Sequence, residues 1–147
     1  MSVFADSSVL VKLYADEEDH QLIRQLASVA ISQIARVEVP AAIWRKQRLG
    51  ELRSGDAQTL VQDFEADYFG TEGVYPRFAA VALTPSLLDG AARLCAAHGL
   101  RAYEGVQLSA ATSARAADPG CTTFAAFDTT LRTAAAAEGF ALLPSSQ

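Results

Sequence analysis

Cysteine and histidine are scarce in this sequence, at two residues each in a chain of 147. Cys95 and Cys121 stand in apolar surroundings without metal-ligand spacing, which excludes a thiolate metal site and a disulfide framework. Two free, buried thiols in a reducing compartment are expected. His20 and His98 fall at surface or helix-end positions, so no Ser-His-Asp set is available; His98 reads as a helix C-terminal residue favoured by the dipole. No apolar run approaches the roughly twenty residues that cross a bilayer. With no signal peptide expected ahead of the first strand, a cytoplasmic protein without membrane contact is the expectation. Internal repeats and low-complexity linkers are also missing.

A strong charge of either sign is lacking too. Lys and Arg number 12 against 17 Asp and Glu, a net charge of −5. That balance argues against a broad basic surface for gripping nucleic acid, while leaving room for acids concentrated in one cleft. Arg36, Arg45, Lys46, Arg48 and Arg53 gather in one short segment, as a solvated helix face or as phosphate contacts. Half of the residues are hydrophobic, enough for one domain over residues 1–147 with a substantial core.

What is there alternates strand and helix. Val3-Phe4-Ala5 is a short apolar strand that reaches Asp6 and then changes to helical period over Val9 to Tyr14. An acidic turn, Asp16 to Asp19, precedes a helix over His20 to Ser28 with Leu22, Ile23 and Leu26 on one face. Ser28 to Ser32 is β-compatible, and Ser32 can cap a helix from Gln33 to Leu49 whose apolar stripe takes in Ile34, Val37, Ala41 and Trp44. Pro40 inside it predicts a bend or a first turn. Ser54 reads as the cap of a helix carrying Leu60, Val61, Phe64 and Phe69, and Phe78 to Leu83 as a third strand.

Thr84-Pro85 is a helix start and Gly99 its stop, giving a helix over Ser86 to His98. Another runs from about Ala102 to Ala117, then a turn at Asp118-Pro119-Gly120 leads into a strand over Cys121 to Ala126. A helix from Thr129 to Glu138 and a last strand, Phe140 to Leu143, finish the pattern. Such alternation requires parallel strands, right-handed crossovers and helices on both faces: an α/β fold.

Two acids occupy equivalent places in that pattern. Asp6 and Asp128 each follow an apolar strand and precede a helix, so both emerge at the carboxyl edge of the sheet, where open α/β sheets bind ligands. Glu38, early in the helix after the second strand, and Glu104, in the first turn of a helix, can reach the same edge. Four carboxylates gathered there repel one another unless a cation lies between them. A hard divalent ion, magnesium or manganese, takes oxygen ligands and activates water for attack on a phosphodiester. The Ser8 hydroxyl can cap the first helix, hold Asp6, or do both.

These residues resemble a PIN domain, most closely the toxin ribonucleases of the VapC type. The likeness runs through the whole chain: residues 3–14, Ser32 through Glu38, Leu100 to Leu108, and Phe124 to Leu131 followed by Glu138-Gly139-Phe140. The resemblance implies a three-layer α/β/α sandwich with a five-stranded parallel sheet of order 3-2-1-4-5. It implies a magnesium-dependent endoribonuclease, a small antitoxin partner covering the acidic cleft, and a homodimer. Carried over position by position, Asp6, Glu38, Glu104 and Asp128 are the four metal-binding and catalytic acids, with Ser8 as the family's hydroxyl. Two positions depart from the family pattern, Glu104 for the usual aspartate and Ala126 where a hydroxyl is frequent. The competing readings are a silent protein that binds RNA or an antitoxin without cleaving, and a phosphatase working through an aspartyl intermediate.

Overall fold

Strand β1 (Ser2–Ala5) ends one residue before Asp6, whose carbonyl accepts the N–H groups of Val9 at 3.0 Å and Leu10 at 3.3 Å. Helix α1 (Ser7–Ala15) therefore starts directly after the carboxylate, two residues earlier than the apolar period suggests. This computed structural model describes residues 2–15 and 28–145. The acidic turn at 16–19 and the helix expected from His20 lie outside the described residues. The order continues through β2 (Ser28–Ser32), α2 (Ala35–Arg48), α3 (Ser54–Phe69), β3 (Phe78–Val81) and α4 (Pro85–His98). It ends with α5 (Ala102–Ala117), β4 (Cys121–Ala125), α6 (Thr129–Ala137) and β5 (Ala141–Leu143).

All four strand pairings are parallel, in the order β3-β2-β1-β4-β5. The order reverses at β1 and β4, which puts the ends of these two strands side by side at the switch point. β1 is buried on both faces, and its two-residue period divides its side chains. Val3 and Ala5 join Val9, Leu10, Val39, Ile43 and Phe64 under α1, α2 and α3. Phe4 joins Leu87, Leu108, Phe124 and Leu131 under α4, α5 and α6. Phe4 and Phe124 are register partners with rings stacked at 5.5 Å. Burying each such ring is worth about 1.5–3 kcal/mol, so the paired rings pin β1 to β4. The result is the expected three-layer α/β/α fold.

Several boundaries and faces differ from expectation. In α2 the residues turned to the sheet are Ala35, Val39 and Ile43, whereas Val37 is 70% exposed. Of the expected stripe Trp44 packs against the core in part, and Ala41 is exposed. The helix carries two apolar stripes, and only one meets the sheet. Pro40 lies within the helix. The Ser32 hydroxyl accepts from the Ile34 N–H at 3.2 Å, which holds the turn before α2 without capping it. Ser54 is the first residue of α3 and not its cap, because the first helical bond closes on the Arg53 carbonyl. β3 stops at Val81, where the Gln33 side chain takes over by accepting from the Leu83 N–H at 3.0 Å.

Other elements follow the sequence. The Thr84 hydroxyl caps α4 by accepting from Leu87 N–H, and Gly99 closes it at φ 67. His98 ends that helix, its Nε2 2.7 Å from Glu138 Oε2. Gly105 sits where α5 crosses α4: a Cβ there would run into Cys95 Sγ and come within 2.9 Å of the Ala91 carbonyl. Both cysteines are free; Cys121 is buried, as expected, and Cys95 only half-buried. Among the described residues no helix is long and apolar enough to cross a membrane.

Candidate acidic active site

Asp6 is carried by the end of the central strand, its N–H donating to the Ala125 carbonyl at 3.0 Å, so β1 and β4 fix it together. The Ser8 hydroxyl donates to Asp6 Oδ2 at 2.6 Å. Burial raises the Asp6 carboxyl from 3.8 to about 6, against the lowering effect of the Ser8 bond, and the nearby Glu38 charge raises it further. A carboxylate that burial and a second carboxylate both disfavour is a local excess of negative charge at the switch point of the sheet.

Glu38 comes from the first turn of α2 and is held from below. Its Oε1 accepts from the Ser7 hydroxyl at 2.8 Å and from Gln107 Nε2 at 2.7 Å, and Gln107 Nε2 also donates to Ser7 Oγ at 2.9 Å. Gln107 is 2% exposed and Ser7 is buried, so a closed polar knot joins α1, α2 and α5 beneath the carboxylate. Gln107 Oε1 is buried without a hydrogen-bond partner among the described residues. Sequence reasoning passed over both residues. Ser7 was passed over because Ser8 is the position of the family's hydroxyl; the available signal for Gln107 was an amide three residues after Glu104, flanked by Val106 and Leu108.

Asp128 caps α6, its Oδ2 accepting from the Leu131 N–H at 2.9 Å. Glu104 is the third residue of α5 and turns back on its own helix start. Its Oε1 accepts from the Arg101 N–H at 2.9 Å and its Oε2 from Arg101 Nη2 at 3.1 Å. Ala126 is fully buried in the core beside Phe4 and Leu131.

The structure brings Asp6, Ser8, Glu38, Glu104 and Asp128 to one cavity of about 420 Å³, whose wall also includes Arg101, Tyr103 and Gln107. Each acid is satisfied by donors from the protein itself. Among the described residues no group of three His, Cys, Asp or Glu is drawn together tightly enough to hold a metal ion. The donor chemistry still suits a hard cation, since the lining offers carboxylate and hydroxyl oxygen without sulfur or imidazole. Magnesium keeps several waters and needs only one or two direct carboxylates. Glu104 is the acid least ready to serve, because its oxygens are already taken by Arg101.

An acid-lined cavity lies at the β1/β4 switch point of a 3-2-1-4-5 parallel sheet, the α/β architecture expected from the resemblance to PIN domains. No family model and no curated protein matches the sequence. Solved structures do match in three dimensions. The chain is similar to PAE2754 from Pyrobaculum aerophilum at a TM-score of 0.68 and 20% identity, covering 97% of this chain and 90% of that one. It is similar to FitAcB from Neisseria gonorrhoeae at 0.57 and 16%, over 95% of each chain. A toxin-antitoxin complex from Klebsiella pneumoniae contains a chain similar at 0.55 and 14%, over 88% of each. At these identities the likeness is one of fold, extending over nearly the whole chain.

Proposed function

We propose that this protein is a magnesium-dependent endoribonuclease, with manganese as the alternative ion, and the toxin of a toxin–antitoxin pair. The observation that carries the reading is the arrival of four acids from four separate elements at one cavity on the carboxyl edge of the sheet. The likeness to a chain of a toxin–antitoxin complex supports the biological half.

In this reading one or two of Asp6, Glu38 and Asp128 would hold the ion directly and the others would hold its waters, while Glu104 stays bonded to Arg101 at the rim of the cavity. When bound, such an ion would supply positive charge near the phosphate and lower the pKa of water for hydrolysis of an RNA phosphodiester. The chain's own residues set the stage. Ser8 orients the Asp6 carboxylate by donating to it, and Ser7 and Gln107 fix Glu38 from beneath. The N–H groups at the start of α1 add a positive field on the same side as Asp6.

The test is cleavage of labelled RNA by the purified protein across a magnesium titration, with Asp6→Asn alongside. The parent should cut in proportion to metal occupancy and the variant should not cut; equal cleavage by both would overturn the assignment. A small antitoxin, a cytoplasmic location and a homodimer belong to the same reading. Expression beside the product of the neighbouring gene should give a stable complex without cleavage, and light scattering should give twice the chain mass. The grip of Arg101 on Glu104 favours one second reading, a silent domain that binds RNA or an antitoxin. Such a protein would give no product at any metal concentration.

A further inference from the structure

The outer stripe of α2 is left over once the core and the acidic cavity are accounted for. Ile34, Val37, Ala41, Arg45 and Arg48 recur every three or four residues along one face, and with Tyr103 they line a second cavity of about 580 Å³. Glu38, Ala42 and Tyr103 belong to both cavities, so the second continues the first. Val37 is 70% and Tyr103 63% exposed along this groove. Neighbouring cations are matched: Arg36 lies 3.8 Å from Glu65, Lys46 3.7 Å from Glu51 and Arg53 3.9 Å from Asp56. Arg45 and Arg48 are exposed, and neither pairs with a carboxylate among the described residues.

We infer that this groove is a binding track for single-stranded RNA, in which a base next to the scissile phosphate stacks on Tyr103 and the following phosphates meet Arg45 and Arg48. The inference rests on the nuclease reading for what lies in the acidic cavity, and on the groove's own chemistry for the track. Single-strand tracks combine an aromatic platform with cations that follow the backbone. Both are present here in the order a strand leaving the acids would meet them. At a rise of 1.5 Å per residue, Arg45 and Arg48 lie about 10 and 15 Å along the helix from Glu38, a span of a few nucleotides. In a chain of net charge −5, two arginines beside the cleft, unpaired among the described residues, offer a strand leaving it local positive charge.

The experiment uses the full chain and a fluorescein-labelled single-stranded RNA of about a dozen nucleotides, within the range such tracks cover. Binding is read by anisotropy with calcium in place of magnesium, as a function of salt. Arg45→Glu/Arg48→Glu should weaken binding tenfold or more. It should also flatten the slope of log affinity against log salt by about 1.4, which is two phosphate contacts at about 0.7 each. Tyr103→Ala should weaken binding about 5- to 150-fold, with Tyr103→Phe close to the parent. In cleavage the double arginine variant should raise the KM for RNA and retain kcat.

Binding and slope unchanged in the arginine variant overturn the track, even if the parent cleaves RNA. A parent that binds RNA through these residues and never cleaves leaves the track standing and removes the nuclease reading. If the arginine variant turns a dimer into a monomer and leaves RNA affinity untouched, the face belongs to a second copy and the inference fails.

Discussion

Replacing Asp6 by asparagine should make the protein more stable at neutral pH, and the gain should vanish in acid. The native state holds the Asp6 proton up to about pH 6, whereas the unfolded chain releases it near 3.8. Between those values the native state binds more protons, so its stability falls as pH rises through that window and levels off above it. At 1.36 kcal/mol per pH unit the ionised carboxylate costs the fold about 3 kcal/mol at pH 7.5. Asparagine keeps an oxygen for the Ser8 hydroxyl and for the N–H groups of Ser7 and Ser8, so most of that cost should be recovered. The expected gain is about 1–3 kcal/mol in urea unfolding at pH 7.5 and about zero at pH 4. Saturating magnesium should reverse the ranking, since an ion that binds only the native parent adds about 2.7 kcal/mol at a hundred times its Kd. A variant no more stable than the parent at pH 7.5, or equally stabilised at both pH values, would refute the claim that Asp6 carries uncompensated charge.

Three further outcomes follow from the same contacts. Gln107→Leu removes a donor to a charged acceptor and leaves Ser7 alone under Glu38; unfolding free energy should drop by about 1.5–3 kcal/mol, and a drop below about 0.5 would mean the knot does not hold the carboxylate. Gly105→Ala drives a methyl into Cys95 Sγ and the Ala91 backbone, and should cost about 1–3 kcal/mol by chemical denaturation, partly relieved by Cys95→Ala. Ser8→Ala deletes a bond that holds the Asp6 carboxyl down, so the acid window of the stability curve should move to higher pH, with no movement counting against the assignment.

The sheet was legible because its signals are local. Val3-Phe4-Ala5, Thr84-Pro85 with Gly99, and Phe127-Asp128 each carry strand, cap or junction chemistry in a few adjacent residues, and parallel alternation then fixes the edge from which Asp6 and Asp128 emerge. The faces of α2 were not legible. Ala35, Val39 and Ile43 form one helical stripe and Ile34, Val37 and Ala41 another, both with the right period, and only the position of the sheet decides which is core. Ser7 and Gln107 escaped for a related reason. Their partners stand 31 to 100 positions away in sequence, so the bonds among Ser7, Glu38 and Gln107 exist only after α1, α2 and α5 have packed.

Glu104 is the residue on which sequence likeness and geometry pull apart. A shorter aspartate could not close the same ring on its own helix start. The extra methylene lets the Glu104 carboxylate reach the Arg101 N–H and guanidinium together, and the first of these contacts is the glutamate half of a capping box. Glu104→Gln separates the two roles, because an amide oxygen still accepts from the Arg101 N–H while the negative charge is gone. If capping is its main task, the variant should unfold within experimental error of the parent. It should weaken magnesium binding only a few-fold in calorimetry and keep RNA cleavage within about tenfold, about one 1.4 kcal/mol step in the barrier. Asp6→Asn and Glu38→Gln should each lose far more. A Glu104→Gln variant as inactive as Asp6→Asn, with its fold intact, would mean that Arg101 releases the carboxylate in the working enzyme and that all four acids serve the ion.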